Sequence, residues 1–479
     1  MFVVEKSSQE RVVGGTEQSW CRAVSAGTGI TVLALQLKSN TAAADPSVLR
    51  PLLNTILDAH PVLRSKLHYS ATKKAFSFTT PPTSQIQIQP LDKSSTLHLL
   101  PSLSDPDSPL PPLQLILEHE LSNNLPWANP ALFPPSGVDL VFATVYALPD
   151  ARHVVALRFH TAVCDRTTAE SLLSELVGAA EGGIQNQGEG SFGIEDVMPV
   201  AKSKKKLWAH GLDVLGYSFN SFRLTNIKFK DVKAPRTSRV LRLRISRSHT
   251  SRILEGCNSA GIKLCGVLTA AGLIAAAHSS DDNHKNKYGV VTLTDCRSIL
   301  NSPLSSHHFG KLNSLSPSSI HIGFYHSAVL NVHKVNGGEK LWDLAKTSYT
   351  EFANSKKCNK HFSDMADLNF LMCKALENPS LTSSSALRSS MITVFEEPVV
   401  VHDTLLHRQS MGMEDFVGCS SVHGVGPSIA FFDTIIEGQL DCVCVYPSPL
   451  HSREQMQEIL DHIKRLLIEA AYSSLSTIS

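Results

Sequence analysis

The sequence lacks paired CxxC spacing, any long apolar run and any marked excess of one charge. Its ten cysteines are scattered, often inside apolar segments such as KLCGVL and LDCVCVY, so neither a zinc framework nor a disulfide framework is indicated. The formal net charge of +1 provides no long-range field for nucleic acid. No apolar stretch of transmembrane length and no recognisable targeting signal is present. We therefore expect a cytosolic protein that has no metal, nucleic-acid partner or membrane partner.

Two local patterns leave alternatives open. Cys442 and Cys444 would share one face of a strand and could mimic half of a metal site, but no second pair exists to complete tetrahedral ligation. The basic run AKSKKK at residues 201–206 lies in a polar stretch, which is typical of a solvated linker, with a phosphate-binding patch as the alternative. Neither a GxSxG elbow nor a GxGxxG loop after a strand is found.

The length of the chain sets its domain organisation. With 479 residues and 42% hydrophobic content, the chain can form two domains of ordinary size. Hydrophobic periodicity nearly disappears from Glu181 to about Lys206, where glycine and polar residues indicate a connector. We predict an N-terminal domain over residues 1–190, a linker or crossover over residues 191–235 and a C-terminal domain over residues 236–479. No repeat of fixed period is present, which disfavours a solenoid or propeller.

Strand and helix patterns are mixed in the first half. The segment GITVLALQL, residues 29–37, predicts a strand. An Asp-Pro pair at residues 45–46 begins a helix that ends before Pro61. The apolar segments VDLVFATVYAL and HVVALRFH flank a Pro-Asp turn at residues 149–150, which predicts an antiparallel hairpin.

Thr167 and Glu170 match a capping box for the helix that follows this hairpin. The second half repeats the mixture of strands and helices and ends in an amphipathic helix from Ser452 to about Ala471. The predicted fold class is therefore α/β or α+β, with two similar layered domains side by side.

Four segments resemble condensation domains and the related CoA-dependent acyltransferases of the chloramphenicol-acetyltransferase-like fold, which include BAHD-type and alcohol acetyltransferases. In chain order the segments are LLNTILDAHPVLRSKL, FHTAVCD, TLTDCRSILNSPLSSHHFG and VHGVGPSIAFFD. The second is similar to the HHxxxDG motif, and the third to DxRxRLxPPLxxxxFGN. The resemblance covers roughly residues 10–470. It implies two chloramphenicol-acetyltransferase-like domains flanking a central channel, which the donor and the acceptor enter from opposite sides.

The resemblance also implies a catalytic base, and this sequence departs from the motif at that position. The second histidine of HHxxxDG is the general base that deprotonates an acceptor hydroxyl or amine for attack on a thioester. Alignment on Asp165 places His160 at the first histidine and Thr161 at the second, and Arg166 replaces the glycine. A hydroxyl cannot do the work of an imidazole at neutral pH, because histidine titrates near that pH and threonine does not. An acyltransferase with threonine in place of the base histidine would therefore be slow.

The roles of the histidines remain open at this point. His160 is either structural, like the family's first histidine, or a substitute base that a bulge would have to re-aim, because neighbouring strand residues face opposite ways. His423 in SVHGVGPS is either an exposed loop histidine or a base that approaches from another direction. Thr161 would position the acceptor or donate a hydrogen bond to an oxyanion. By the resemblance, Asp165 and Arg297 form a salt bridge that holds the turn in shape.

We expect a monomeric acyltransferase that moves an acyl group from a thioester to a small hydroxyl or amine acceptor. Acyl-CoA is the expected co-substrate, no cofactor is expected to be bound, and no cofactor-binding residue is identified. Two alternatives remain: a ligand-binding or regulatory protein on the same fold, and an enzyme of non-acyl chemistry such as a ring closure.

Overall fold

A computed structural model describes most of the chain. The described residues are 9–39, 41–83, 85–104, 110–180, 192–198, 210, 224–279, 287–300, 322–336, 338–378, 391–401 and 411–473. The AKSKKK run, most of the predicted connector and the end of the third family-like segment lie outside these ranges.

The chain forms two compact units that are not contiguous in sequence. Unit 1 comprises Met1–Val197, Ile299–Tyr325 and Asp403–Ser421, and unit 2 comprises Met198–Ser298, His326–His402 and Val422–Ser479. The predicted boundaries assigned all of residues 236–479 to one domain. The predicted domains and the observed units differ because the segment Asp403–Ser421, late in the sequence, contributes a strand to a sheet of unit 1.

Unit 1 contains two sheets and six described helices. Its strands are β1 (Gln9–Val12), β2 (Thr28–Leu37), β3 (Lys66–Ser70), β4 (Ala75–Thr80), β5 (Ile88–Leu91), β6 (Val138–Asp139), β7 (Val141–Ala147), β8 (His153–His160) and, from the late segment, β14 (Met413–Val422). Its helices are α1 (Gly15–Ser25), α2 (Pro46–Ala59), α3 (Lys93–Leu99), α4 (Pro112–Ser122), α5 (Arg166–Ala180) and α6 (Ile194–Val197).

The main sheet of unit 1 has the strand order β14-β2-β8-β7-β5. The predicted hairpin is confirmed, because β7 and β8 pair antiparallel. Every residue of β2 is buried, as expected for a central strand in which β-branched and aliphatic residues predominate. Helix α4 packs against β2 and β8. The smaller sheet has the order β1-β4-β3-β6.

Unit 2 is built around a seven-stranded mixed sheet. Its strands are β9 (Thr237–Ile245), β10 (Lys287–Asp295), β11 (His326–Lys334), β12 (Met391–Phe395), β13 (Val399–Val401), β15 (Ile429–Ile436) and β16 (Gln439–Ser448). The order is β11-β10-β12-β15-β16-β9, with β13 also paired to β15. Strands β10, β12 and β15 run parallel, and the strands at both ends pair antiparallel.

The described helices of the second half are α7 (Arg247–Ala260), α8 (Leu264–His278), α9 (Arg297–Leu300), α10 (Leu341–Lys357), α11 (Lys360–Ser363), α12 (Met365–Glu377) and α13 (Arg453–Ser473). Helix α8 is buried along almost its whole length and packs against α10, α13 and β12. Its many alanines and glycines allow this close packing. Helix α7 ends at Gly261, whose φ of 66° is the left-handed conformation that glycine adopts easily.

Among the described helices, none is long and apolar enough by itself to cross a bilayer. Helices α7 and α8 satisfy the length and composition test only as a pair, with a 104° bend between them.

Candidate functional site

The turn that carries the HHxxxDG-like segment begins where β8 ends. His160 is the last residue of the strand, and Thr161–Val163 form a single 3₁₀ turn. Strand β2 runs antiparallel to β8, with Ile30 opposite His160 and Thr31 opposite Phe159. This register brings a hydroxyl of β2 beside the turn.

His160 is fully buried, and its side chain and that of Thr161 have different partners. Its Nδ1 accepts the backbone N–H of Ala162 at 3.2 Å, and its ring packs edge-on against Trp127 at 5.3 Å. Burial lowers the pKa of His160 to about 3, so the imidazole is neutral at neutral pH. Because Nδ1 accepts, the proton lies on Nε2, which is buried and has no partner among the described residues. This geometry favours the structural role over the catalytic one.

Thr161 belongs to a cluster of three hydroxyls. Thr31 Oγ1 lies 2.8 Å from Thr161 Oγ1 and 2.8 Å from Ser420 Oγ. Thr31 also donates to the carbonyl of Cys164 at 3.0 Å. Because one hydroxyl has one proton, Thr161 and Ser420 are the donors to Thr31. The Thr161 proton is therefore engaged, and its oxygen retains a lone pair that can accept a hydrogen bond.

Asp165 anchors the other end of the turn. One carboxylate oxygen accepts the N–H of Thr168 at 2.9 Å, and the other accepts the N–H of Tyr325 at 2.8 Å. Helix α5 therefore begins at Arg166 with Asp165 as its cap, two residues before Thr167, so the predicted capping box of Thr167 and Glu170 is wrong. The Thr168 hydroxyl donates to the carbonyl of Gly323 at 2.8 Å. Together these bonds fasten the turn to residues 323–325.

The predicted partner of Asp165 lies in unit 2. Arg297 is largely buried and donates to Asp295 at 3.0 Å, through both its backbone N–H and its guanidinium. Asp165 is held by backbone donors of its own unit, Thr168 and Tyr325. The pairing of Asp165 with Arg297 stays a prediction.

His423 is placed differently from an exposed loop histidine. Its side chain is 8% exposed, and Nδ1 lies 3.0 Å from Ser238 Oγ. Burial lowers the pKa of His423 to about 4, so the ring is neutral at neutral pH. His423 and Ser238 belong to unit 2, whereas His160 and Thr161 belong to unit 1.

Sequence reasoning missed Thr31, Ser420, Ser238 and Trp127. Thr31 is one of three polar residues in the otherwise mostly apolar strand β2, and Ser420 lies on a strand that precedes His423; these polar interruptions are the available signal. Nothing local indicates that Ser238 bonds a residue 185 positions away. No group of three or more metal-ligating side chains is found within the described ranges.

No family model matches the sequence, and no curated protein sequence is similar to it. Solved structures are similar over nearly the whole chain. The epimerization domain from the third module of tyrocidine synthetase B has a TM-score of 0.65 at 14% identity, with 99% of this chain and 98% of that chain covered. Trichothecene 15-O-acetyltransferase from Fusarium sporotrichioides has a TM-score of 0.65 at 12% identity, with 97% and 95% covered.

The condensation domain of the monacolin K polyketide synthase MokA has a TM-score of 0.62 at 9% identity, with 98% of each chain covered. At such low identity these similarities concern the fold. The chain therefore has the mixed α/β fold of condensation domains and chloramphenicol-acetyltransferase-like proteins, as its motifs predicted.

Proposed function

We propose that this protein transfers an acyl group from a thioester, with acyl-CoA as the donor, to a small acceptor, and that it does so slowly. The observation that carries the proposal is the turn at residues 160–165. Asp165 holds this turn in place and Thr161 carries a hydroxyl at the position of the usual base. The similarity to condensation domains and to an acetyltransferase supports the same chemistry.

The arrangement offers no imidazole base at this turn. His160 is buried with its accepting nitrogen occupied, and a threonine hydroxyl does not take up a proton at neutral pH. The loss of a general base lowers the rate by about 10²–10⁴, which is about 3–5 kcal/mol of transition-state stabilisation. We infer that the preferred acceptor is an amine. A deprotonated amine has a free lone pair, whereas a hydroxyl must lose a proton in order to attack.

In this reaction the amine nitrogen forms a bond to the thioester carbonyl carbon, and the C–S bond then breaks. The thiolate leaves, and the extra proton on nitrogen passes to the thiolate or to solvent. The Thr161 oxygen would accept an N–H bond from the amine and position it. A role for Thr161 as an oxyanion donor is less well supported, because its proton is directed to Thr31.

The test measures CoA release from acetyl-CoA in the presence of small amines or alcohols. Chromatography is the suitable readout, because the exposed thiol of Cys358 would react with a thiol reagent. We expect slow release with amines and about 10² less with alcohols. Thr161→Val should weaken amine transfer about threefold to tenfold by removing the positioning oxygen. Thr161→His should raise alcohol transfer by 10² or more.

His160→Gln is the matched control at the same turn. If His160 is structural, CoA release per folded molecule should be unchanged in this variant. A folded His160→Gln protein that has lost all release would show that His160 is the base.

Ligand binding without turnover is the second candidate. The observation in its favour is that the motif offers no available imidazole at this turn. Acetyl-CoA that binds, as measured by calorimetry, but releases no CoA in the wild type or in Thr161→His would support this candidate. Non-acyl chemistry remains the third, since an epimerization domain shares the fold.

We also propose that the protein is a monomer and that it occupies the cytosol. The described cysteines are free thiols, most of them buried, which agrees with a reducing compartment. Light scattering on the purified protein tests the monomer, and cell fractionation tests the compartment.

A further inference from the structure

Ser238 is a buried hydroxyl with two hydrogen-bond partners. It lies on β9 with 0% exposure, accepts the backbone N–H of Val422 at 2.8 Å and lies 3.0 Å from Nδ1 of His423. No other partner of the Ser238 hydroxyl is found in the described ranges. All three residues belong to unit 2.

These contacts determine the tautomer of His423. The Ser238 hydroxyl proton is buried and needs an acceptor, since a buried unpaired donor costs about 1–3 kcal/mol. The Val422 N–H is a donor, so within the described part of the chain the only acceptor within reach is Nδ1 of His423. Ser238 therefore donates to Nδ1, and the proton of the neutral imidazole lies on Nε2.

The remaining nitrogen of His423 is accessible. Among the residues that the structure describes, Nε2 of His423 has no hydrogen-bond partner, yet it is not among the buried unpaired atoms. His423 is a largely buried residue, and its neutral imidazole carries a single N–H, on Nε2. Such a group can donate a hydrogen bond to an oxygen and cannot serve as a base through the same nitrogen.

We propose that His423 binds the carbonyl oxygen of the thioester donor through its Nε2–H, and that Ser238 is the positioning residue that holds the proton on Nε2. This inference rests on the proposed acyl transfer. A neutral, pre-oriented N–H is suited to an oxygen on which negative charge develops when an acceptor attacks the carbonyl. It replaces the role of base that the sequence suggested for His423.

His451 is the matched control in the same unit. It also pairs with a serine, because its Nε2 lies 3.1 Å from Ser428 Oγ. Its side chain is completely buried, so it presents no N–H to a ligand. Replacement of His451 therefore tests for general damage to unit 2.

The first experiment is nitrogen-15 NMR of the histidine rings in the full-length protein at pH 7, with His423 assigned by comparison with His423→Gln. We expect a neutral ring with the proton on Nε2, and in Ser238→Ala a mixture of the two tautomers. A proton on Nδ1, or a charged ring, in the wild type would overturn the inference.

The second experiment compares the binding of acetyl-CoA with that of CoA, which lacks the thioester carbonyl, by calorimetry. His423→Ala should weaken acetyl-CoA binding about fivefold and change CoA binding less than twofold. His423→Gln, which retains an N–H donor, should recover most of the affinity. His451→Gln should leave the ratio of the two dissociation constants unchanged.

An equal loss of affinity for both ligands in His423→Ala would show a merely structural role and overturn the inference. Absence of acetyl-CoA binding by the wild type would overturn both this inference and the proposed transfer. A carbonyl-dependent effect of His423 without any CoA release would support the inference and refute the transfer alone.

Discussion

At the scale of single residues, the position of Thr161 depends on a glycine in the neighbouring strand. Gly29 has a φ of +89°, which is accessible to glycine and strained for other residues. A Cβ atom at this position would lie 2.8 Å from the ring of Trp20 and 3.3 Å from Cβ of Thr161. The backbone of β2 can therefore approach the turn closely only because residue 29 has no side chain.

Gly29→Ala should lower the free energy of unfolding by about 1–3 kcal/mol, because it combines a strained backbone with a contact too short for a real Cβ. Urea unfolding measures the change. Gly418→Ala, on the adjacent strand β14, is the control, since a Cβ there would meet only Leu33, at 3.9 Å. Equal losses in the two variants would contradict this account of Gly29.

At the scale of secondary-structure elements, the start of α5 and the segment before β11 share one carboxylate. Asp165 is 4% exposed and accepts one backbone N–H from each of them. Asp45 caps α2 in the same unit by accepting the N–H of Ser47, but it is exposed to solvent. The two caps have the same chemistry and differ in burial.

Asp165→Ala should cost about 2–4 kcal/mol of unfolding free energy, because two donors lose their acceptor in a buried place. Asp45→Ala should cost about 1 kcal/mol, because water can replace the lost acceptor. Asp165→Asn, which retains one acceptor oxygen, should fall between these values. Urea denaturation of the three variants checks the order, and similar losses for Asp165→Ala and Asp45→Ala would refute the role of burial.

At the scale of the whole molecule, both units contain histidines that are buried in the neutral form. Burial lowers the pKa of His160 to about 3 and the pKa values of His423 and His451 to about 4. In the unfolded chain each ring has a pKa near 6.5. Between these values the unfolded chain binds protons that the folded protein does not bind.

The free energy of unfolding should therefore be fully retained above pH 6.5 and fall as the pH drops towards 4. Each of the three groups contributes about 1.4 kcal/mol per pH unit in this window. Urea midpoints at pH 7.5 and pH 5.5 measure the loss. His160→Phe removes one titrating group and should reduce the slope between the two pH values. Identical midpoints in the wild type would contradict the prediction.

Elements defined by neighbouring residues followed from the sequence alone. The apolar run of β2, the Asp-Pro start of α2 and the β7–β8 hairpin all depend on side chains a few positions apart. The order of the four motifs likewise indicated the fold, and the similarity to solved structures confirms it.

Only the tertiary structure decided which polar groups meet. Ser420 reaches Thr31 because β14 joins the sheet next to β2, and those residues are 389 positions apart. The direction of the His160 ring and the bond between Ser238 and His423 were decided in the same way. Local propensities act over a few residues, whereas such contacts form only when strands distant in sequence pair and the core closes around them. Packing thus keeps His160 and His423 neutral at neutral pH, because burial lowers the pKa of both rings.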